Sequence, residues 1–199
     1  MERLQKVLDY WFGFKLGDAE VSADKGPLWF KKSTETDREI EREFGDLVSE
    51  AETGAFDGQI ASPLDRLAVI LLLDQFTRNI YRGKPNCFSS DPLALQLALD
   101  GLEKKEDLRL RPIERVFLYL PLEHSEDLAL QDQSVELFSA LVETVPDECK
   151  KVFSGYLDYA VRHREIVARF DRFPHRNDIL GRISTEEEAE FLTHPGSSF

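Results

Sequence analysis

The sequence predicts an all-α protein that forms one domain over residues 1–199. Apolar residues recur at helical spacing in one segment after another, and no segment shows the strict alternation of a half-buried strand. Prolines that follow Ser or Asp mark helix starts. A chain of 199 residues, 42% of them hydrophobic, is long enough to bury its own core. These observations together predict about seven to eight helices.

The first half of the chain is predicted to hold four of these helices. Apolar residues at helical spacing over 4–12 predict the first one, which Gly13 closes. Residues 14–33 are predicted to form a long loop, because two glycines and a proline interrupt a polar stretch there. The other three helices are predicted over residues 40–51, from Pro63 onwards, and from Asp91 to Leu102. Because residues 67–73 are apolar on every side, we expect the helix that starts at Pro63 to lie in the centre of the domain.

The second half is predicted to hold the remaining helices. They begin at Pro112, cover residues 135–145 and 152–170, and end with a short acidic helix over residues 185–192. Pro121 is expected to kink or break the first of them, because proline has no amide proton to donate. No linker is long enough to divide domains, and the 34-residue period of standard tetratricopeptide repeats is absent.

Composition excludes several classes of function. The formal net charge of −13 argues against nucleic acid or an anionic membrane surface as a partner, since both select a basic face. The two cysteines, Cys87 and Cys149, are typical of reduced thiols in a cytoplasmic protein. No zinc-ligand spacing, phosphate-binding loop or dinucleotide fingerprint occurs, so neither a metal nor a cofactor is predicted.

Arginine is distributed unevenly and predicts an anion site. Six of the fifteen arginines lie between residues 162 and 182, a stretch that contains no lysine. The planar guanidinium binds carboxylate or phosphate with two parallel hydrogen bonds and tolerates partial burial. These arginines, with Arg78 and Arg82, therefore predict an anion pocket. The alternative is that they pair with acidic residues of the chain and hold helix ends together.

Three histidines have positions that favour a polar centre. His124 continues the apolar face of the helix that contains Pro121, and His163 lies on the apolar face of the helix over 152–170. His175 follows a Phe-Pro pair. An inward-facing histidine is more often a hydrogen-bonded core residue than a base, but Glu126 and Asp127 lie close to His124 and are suited to acid–base chemistry.

Three blocks of residues resemble the hallmark motifs of a widespread family, domain of unknown function 924. They are Leu-Leu-Asp-Gln-Phe-Thr-Arg-Asn-Ile-Tyr-Arg-Gly at 72–83, Tyr-Leu-Pro-Leu-Glu-His-Ser-Glu-Asp at 119–127 and Arg-Phe-Pro-His-Arg-Asn at 172–177. The segments at 7–13, 180–182 and 184–188 are also similar to that family. The resemblance covers nearly the whole chain and implies a right-handed, tetratricopeptide-like helical array without canonical repeats. It implies no established activity.

The chain departs from the family pattern at two positions. Thr77 stands where the family usually has proline, and Asp171 stands where it usually has glycine. We expect the second change to alter the turn before Phe173.

Our first functional hypothesis is a helical protein that binds a small anionic ligand, or the carboxylate or phosphate of a peptide partner. The residues predicted to bind it are Arg78, Asn79, Arg82, His124, His163, Arg172, His175, Arg176 and Asn177. This hypothesis requires the three blocks to meet in space, which no spacing rule guarantees.

Two alternatives belong to other classes. The first is a hydrolase or transferase that acts on a phosphorylated or carboxylated metabolite. Its candidate catalytic residues are His124, Glu126, Asp127 and His175. The second alternative is a protein-interaction scaffold in which all the polar blocks are structural. The oligomeric state is not predicted by the sequence.

Overall fold

The computed structural model describes residues 2–13 and 17–198, which form nine helices and no strand. The helices are α1 (Glu2–Phe12), α2 (Asp18–Phe30), α3 (Thr34–Glu52), α4 (Pro63–Ile70, Leu71–Phe76 and Thr77–Ile80 in direct succession), α5 (Asp91–Glu103), α6 (Pro112–Glu123), α7 (Leu128–Thr144), α8 (Asp147–Phe170) and α9 (Glu186–Phe191). The prediction of an all-helical protein is confirmed. None of these helices is long and apolar enough to cross a membrane.

The long loop predicted over residues 14–33 is wrong for most of its length. Residues 14–16 lie outside the described residues, but residues 18–30 form α2. Val21 and Trp29 are buried on this helix, which packs against α1, α6 and α8. Pro27 lies in its last turn, where its own carbonyl still accepts the amide proton of Lys31. Burial of the apolar face therefore outweighs the local cost of a glycine and a proline.

Helix α4 is the centre of the protein, as predicted from its apolar run. Its residues 66–77 are all buried. The middle segment, Leu71–Phe76, is a π-helical turn, a form that is rare and is found most often at functional sites. Thr77 follows this turn, and its hydroxyl donates a hydrogen bond to the carbonyl oxygen of Leu73 at 2.7 Å.

Aromatic rings fill the core between α1, α2, α4 and α6. Phe117 is fully buried, and its ring lies 4.7 Å from that of Trp29 and 5.6 Å from that of Trp11. Helix α6 continues through Pro121 and ends only two residues later, at Glu123. Since the last residues of α6 are buried, packing holds this helix in place up to His124.

The C-terminal region has a small second core, in which Ile166, Val167 and Phe173 are buried. Helix α8 ends at Phe170, and the next residue, Asp171, adopts a left-handed conformation with φ of 56°. Glycine adopts this conformation without a Cβ penalty, which explains why the family usually has glycine at this position. The turn before Phe173 nevertheless forms, because the Asp171 amide donates to the carbonyl of Val167 at 2.8 Å.

Candidate functional site

A cavity of about 820 Å³ opens between α2, the end of α4, the end of α6, and α8. The short turn Pro174–Arg176 closes another side of it. All three blocks that carry the family resemblance contribute side chains to the lining, among them Arg78, His124 and Arg176. The tertiary structure thus brings together residues that are almost 100 positions apart in the chain. Pockets of this size hold drug-sized ligands.

A buried carboxylate orients His124 at the inner end of the cavity. The Asp74 side chain lies on the π-helical turn and is 1% exposed, and its Oδ1 is 2.7 Å from Nδ1 of His124. Gln75 donates a hydrogen bond to the other oxygen of the same carboxylate. Although burial alone would raise it, the pKa of Asp74 is lowered, because His124 and Arg78 favour the charged form. An ionised Asp74 requires Nδ1 of His124 to carry a proton, so in the neutral form of the imidazole the lone pair lies on Nε2.

Glu123 and His163 form a second buried pair in the cavity wall. Oε1 of Glu123 lies 3.1 Å from Nδ1 of His163, which also donates to the carbonyl of Tyr159 at 2.8 Å. Burial, together with the nearby charge of Asp74, raises the pKa of Glu123 to about 8. Burial lowers the pKa of His163 to about 3. Both groups are therefore neutral at pH 7, and Glu123 holds a proton.

Two guanidinium groups converge on the carboxylate of Asp91, and one of them, that of Arg78, also lies 3.7 Å from Oδ1 of Asp74. Arg78 lies 2.8 Å from Oδ1 of Asp91, and Arg176 lies 3.7 Å from Oδ2. Both guanidinium carbons also lie 4.7 Å from the ring centre of Phe88. Arg78 is well held, because it also donates to the carbonyl of Cys87.

Arg176 is held less well than Arg78. Its side chain is 8% exposed, and its Nε has no hydrogen-bond partner within the described part of the chain. Burial, together with repulsion from Arg78, lowers the pKa of Arg176 to about 10. The protein therefore compensates the charge of Arg176 only in part.

The lining of the cavity combines positive charge with aromatic surface. Among the described residues, the lining contains five cationic side chains and one neutral carboxyl group, that of Glu123; the cations are Lys31, Lys32, Arg78, Arg82 and Arg176. This contrasts with a net charge of −13 for the whole chain. Its aromatic side chains are Trp29, Phe30, Phe88, Phe138, Tyr156 and Tyr159. The arrangement suits an anion that carries an apolar group.

Seven of the nine residues predicted to bind a ligand line this cavity: Arg78, Asn79, Arg82, His124, His163, His175 and Arg176. Two of the seven are already paired with α3. Arg82 binds Asp37 through two hydrogen bonds of 2.7 Å, and Asn79 donates to the same carboxylate at 2.8 Å. Burial lowers the pKa of His175 to about 4, so this histidine is neutral.

The other two predicted ligand residues do not line the cavity. Arg172 binds Glu188 through two hydrogen bonds of 2.6 and 2.7 Å, and Asn177 donates to Ser184 and to Glu188. These contacts fasten α9 to the turn after α8. The alternative prediction, that arginines hold helix ends together, describes Arg172 correctly.

Two predicted catalytic residues also have structural contacts outside the cavity. Glu126 accepts two hydrogen bonds from Arg182 and one from the amide of Phe173. Asp127 is the N-cap of α7 and accepts from the amides of Ala129 and Leu130. The carboxylate that orients His124 is Asp74 instead, which is not among the residues predicted from the sequence to be catalytic. A charged residue directly after a fully apolar run was the signal that could have identified it.

The described residues contain no cluster of three or more His, Cys, Asp or Glu that could hold a metal ion. Cys87 and Cys149 are both buried free thiols. What the described residues offer chemically is therefore a hydrogen-bonded Asp–His pair, a protonated carboxyl group and two guanidinium groups around one cavity.

Fold and site together define an all-helical protein with a cationic cavity that has aromatic walls. The family described as bacterial protein of unknown function (DUF924) matches residues 7–196, and the chain belongs to this family. The resemblance predicted from the three blocks is thus confirmed. A solved structure of a protein of unknown function from Agrobacterium tumefaciens is similar, with 35% identity, a TM-score of 0.79, and coverage of 95% of this chain and 96% of that one. No curated protein matches the chain.

Proposed function

We propose that this protein binds a small organic anion in the cavity between α2, α4, α6 and α8. Arg78 and Arg176 bind the anionic group, and His124 and His175 orient it. The apolar part of the ligand packs against the aromatic side chains contributed by α2 and α8. A phosphate or carboxylate at the end of a peptide side chain has the same chemistry, but a cavity of about 820 Å³ favours a small molecule.

The observation that carries this proposal is the state of Arg176. A guanidinium group has five N–H donors, and burying such a charge without full compensation costs several kcal/mol. Arg176 is buried with an unpartnered Nε and an ion pair of 3.7 Å, which is too long for a hydrogen bond. A phosphate or carboxylate of a ligand would supply the missing acceptors. An arginine with a purely structural role is paired as Arg172 is, with 2.6 and 2.7 Å hydrogen bonds to one carboxylate.

The excess of cations in the lining supports the same conclusion. Within the lining, Arg78 and Arg82 already have carboxylate partners. The remaining positive charge, on Lys31, Lys32 and Arg176, serves to attract and hold a negative ligand. The two buried free thiols, Cys87 and Cys149, support the expectation that the protein works in a reducing, cytoplasmic environment.

Thermal shift and calorimetry with defined anions test the proposal. The probes are inorganic phosphate, phenylphosphonate, benzoate and the uncharged control benzyl alcohol. At 100 times its dissociation constant a ligand stabilises a protein by about 2.7 kcal/mol. For a chain of this size that raises Tm by roughly 5–10 °C. We expect phenylphosphonate or benzoate to raise Tm and benzyl alcohol to leave it unchanged.

Arg176→Met is the critical variant, because methionine preserves much of the packing volume of the arginine stem. Arg164→Met is its control, since Arg164 lies outside the cavity lining and is paired with the exposed Asp132. We expect Arg176→Met to lose the shift and to melt close to the wild type without ligand. A variant that melts much earlier, in a protein that binds none of the anions, would instead support the scaffold alternative and contradict the proposal.

A further inference from the structure

The cavity holds a nucleophile and a proton donor next to the guanidinium groups. Nδ1 of His124 is occupied by Asp74 at 2.7 Å, and no described residue hydrogen-bonds to its Nε2. The preceding residue in the chain, Glu123, also lines the cavity, and its buried carboxyl group lies 3.1 Å from Nδ1 of His163, another lining residue. At neutral pH Asp74 is ionised and Glu123 is protonated. Enzymes that use acid–base catalysis commonly contain two titratable groups whose environments separate their pKa values in this way.

Asp74 makes His124 a better nucleophile. Its carboxylate accepts the Nδ1 proton, so the lone pair lies on Nε2, and its negative charge stabilises the imidazolium that forms when Nε2 makes a bond. Asp74 is itself fixed by the π-helical turn and by Gln75, so the imidazole is oriented before any ligand binds. Asp74 is thus a positioning residue, and His124 is the group that would touch the substrate.

Glu123 is suited to protonate a leaving group. It lies in the cavity wall, and the only described residue paired with it is the neutral His163. Since burial and the charge of Asp74 both oppose its ionisation, Glu123 carries a proton at neutral pH.

We propose that the protein hydrolyses phosphate monoesters, with His124 as nucleophile and Glu123 as general acid. This inference rests on the proposed anion site. In the first step Nε2 of His124 attacks phosphorus, the P–N bond forms, and the P–O bond to the alcohol breaks as the leaving oxygen takes the proton of Glu123. In the second step water attacks phosphorus and gives a proton to the Glu123 carboxylate. The P–N bond then breaks, and inorganic phosphate leaves. The net reaction is monoester plus water to alcohol plus phosphate, which needs no further reactant.

Phosphate fits these residues better than carboxylate for two reasons. Arg78 is paired with both Asp91 and Asp74, whereas Arg176 has one 3.7 Å contact and, among the described residues, an unpartnered Nε. The three acceptor oxygens of a phosphate can satisfy more of the donors of Arg176 than the two of a carboxylate can. Charge in a phosphoryl-transfer transition state also spreads over three oxygens, and two guanidinium groups can stabilise several of them at once.

The experiment measures binding and turnover separately. Phenylphosphonate, which has no P–O bond to a leaving group, reports binding by calorimetry. Phosphate release from phenyl phosphate and from p-nitrophenyl phosphate reports turnover. The variants are His124→Asn, Glu123→Gln and the control His194→Asn, since His194 is an exposed histidine near the C-terminus. All are purified in parallel, so that a contaminating phosphatase would appear equally in each.

We expect His124→Asn still to bind phenylphosphonate through Arg78 and Arg176, only modestly more weakly than the wild type because one orienting group is lost, and to lose turnover of both esters by at least about 10²-fold. Glu123→Gln should lose about 10²-fold on phenyl phosphate and much less on p-nitrophenyl phosphate, because p-nitrophenolate leaves without a proton. Rapid quenching in alkali should trap a phosphoryl group on the peptide that contains His124. His194→Asn should match the wild type.

Three results would overturn this inference. Binding of phenylphosphonate without turnover of either ester would reject the hydrolase and leave the proposed binding function intact. Turnover that survives in His124→Asn would reject the nucleophile. Failure of every anion to bind would reject both the proposed function and this activity.

Discussion

Replacing Glu123 by glutamine should stabilise the protein at neutral pH, which is unusual for a fully buried residue. Its carboxyl group has an ordinary pKa of 4.5, and burial raises that pKa to about 8 in the folded protein. Between pH 4.5 and pH 8, therefore, Glu123 keeps its proton in the folded protein and releases it in the unfolded chain. The contribution of Glu123 to stability is fully present below pH 4.5, falls as pH rises, and is lost above pH 8.

The size of the effect follows from the two pKa values. Each pH unit above the pKa of the unfolded chain lowers the free energy of unfolding by about 1.4 kcal/mol. At pH 7 the penalty is about 3 kcal/mol, and at pH 5 it is about 1 kcal/mol. Glutamine has no carboxyl proton to lose, and its amide oxygen can still accept from His163. We therefore expect Glu123→Gln to be more stable than the wild type by up to about 3 kcal/mol at pH 7.

Urea unfolding of both proteins at pH 5 and pH 7 measures this difference. Glu188→Gln is the matched control of opposite sign. Hydrogen bonds from Arg172 lower the pKa of Glu188 to about 2, so its removal should destabilise the protein at both pH values. If Glu123→Gln is less stable than the wild type at pH 7, or if its advantage is as large at pH 5, then Glu123 is ionised in the folded protein. The assignment of Glu123 as a proton donor would then fail as well.

Three further predictions concern the fold. Asp171→Gly should stabilise the protein by about 1 kcal/mol in urea unfolding, because it relieves the left-handed conformation, and a loss of stability would contradict that account. Gly101→Ala should cost about 1–3 kcal/mol, since its Cβ would lie 2.9 Å from Cδ of Arg66, and an unchanged Tm would show that Arg66 can move aside. Phe117→Ala should cost about 3–5 kcal/mol, measured as a fall in Tm, and a loss below 1 kcal/mol would mean that the aromatic core collapses around it.

Most of the fold could be predicted because helical spacing is a local property. The stripes over residues 4–12, 40–51 and 152–170 each identified a helix that the structure contains. Helix α2 could not be identified in this way, because its burial depends on Trp29 contacting Phe117, a residue far away in the chain. The proline and glycine of α2 are unfavourable locally, and only the packed core compensates for them.

The candidate site was predicted in part for a related reason. Residue type alone pointed to arginine and histidine as ligand residues, and seven of the nine predicted ones line the cavity. Residue type could not show that Arg172 and Arg176, which are four positions apart, have different roles. Glu188 supplies the acceptors that Arg172 needs, whereas the Nε of Arg176 has none among the described residues.

The sequence by itself determined that the chain forms helices, which faces those helices bury, and which family the chain belongs to. These follow from periodicity and motifs, which neighbouring residues carry. Only the tertiary structure decided which charges are compensated and which protons are held. The protonation states of Asp74, Glu123 and Arg176 depend on burial and on partners from distant parts of the chain. In a protein interior the surroundings of a charged group, rather than its residue type, determine its electrostatic energy.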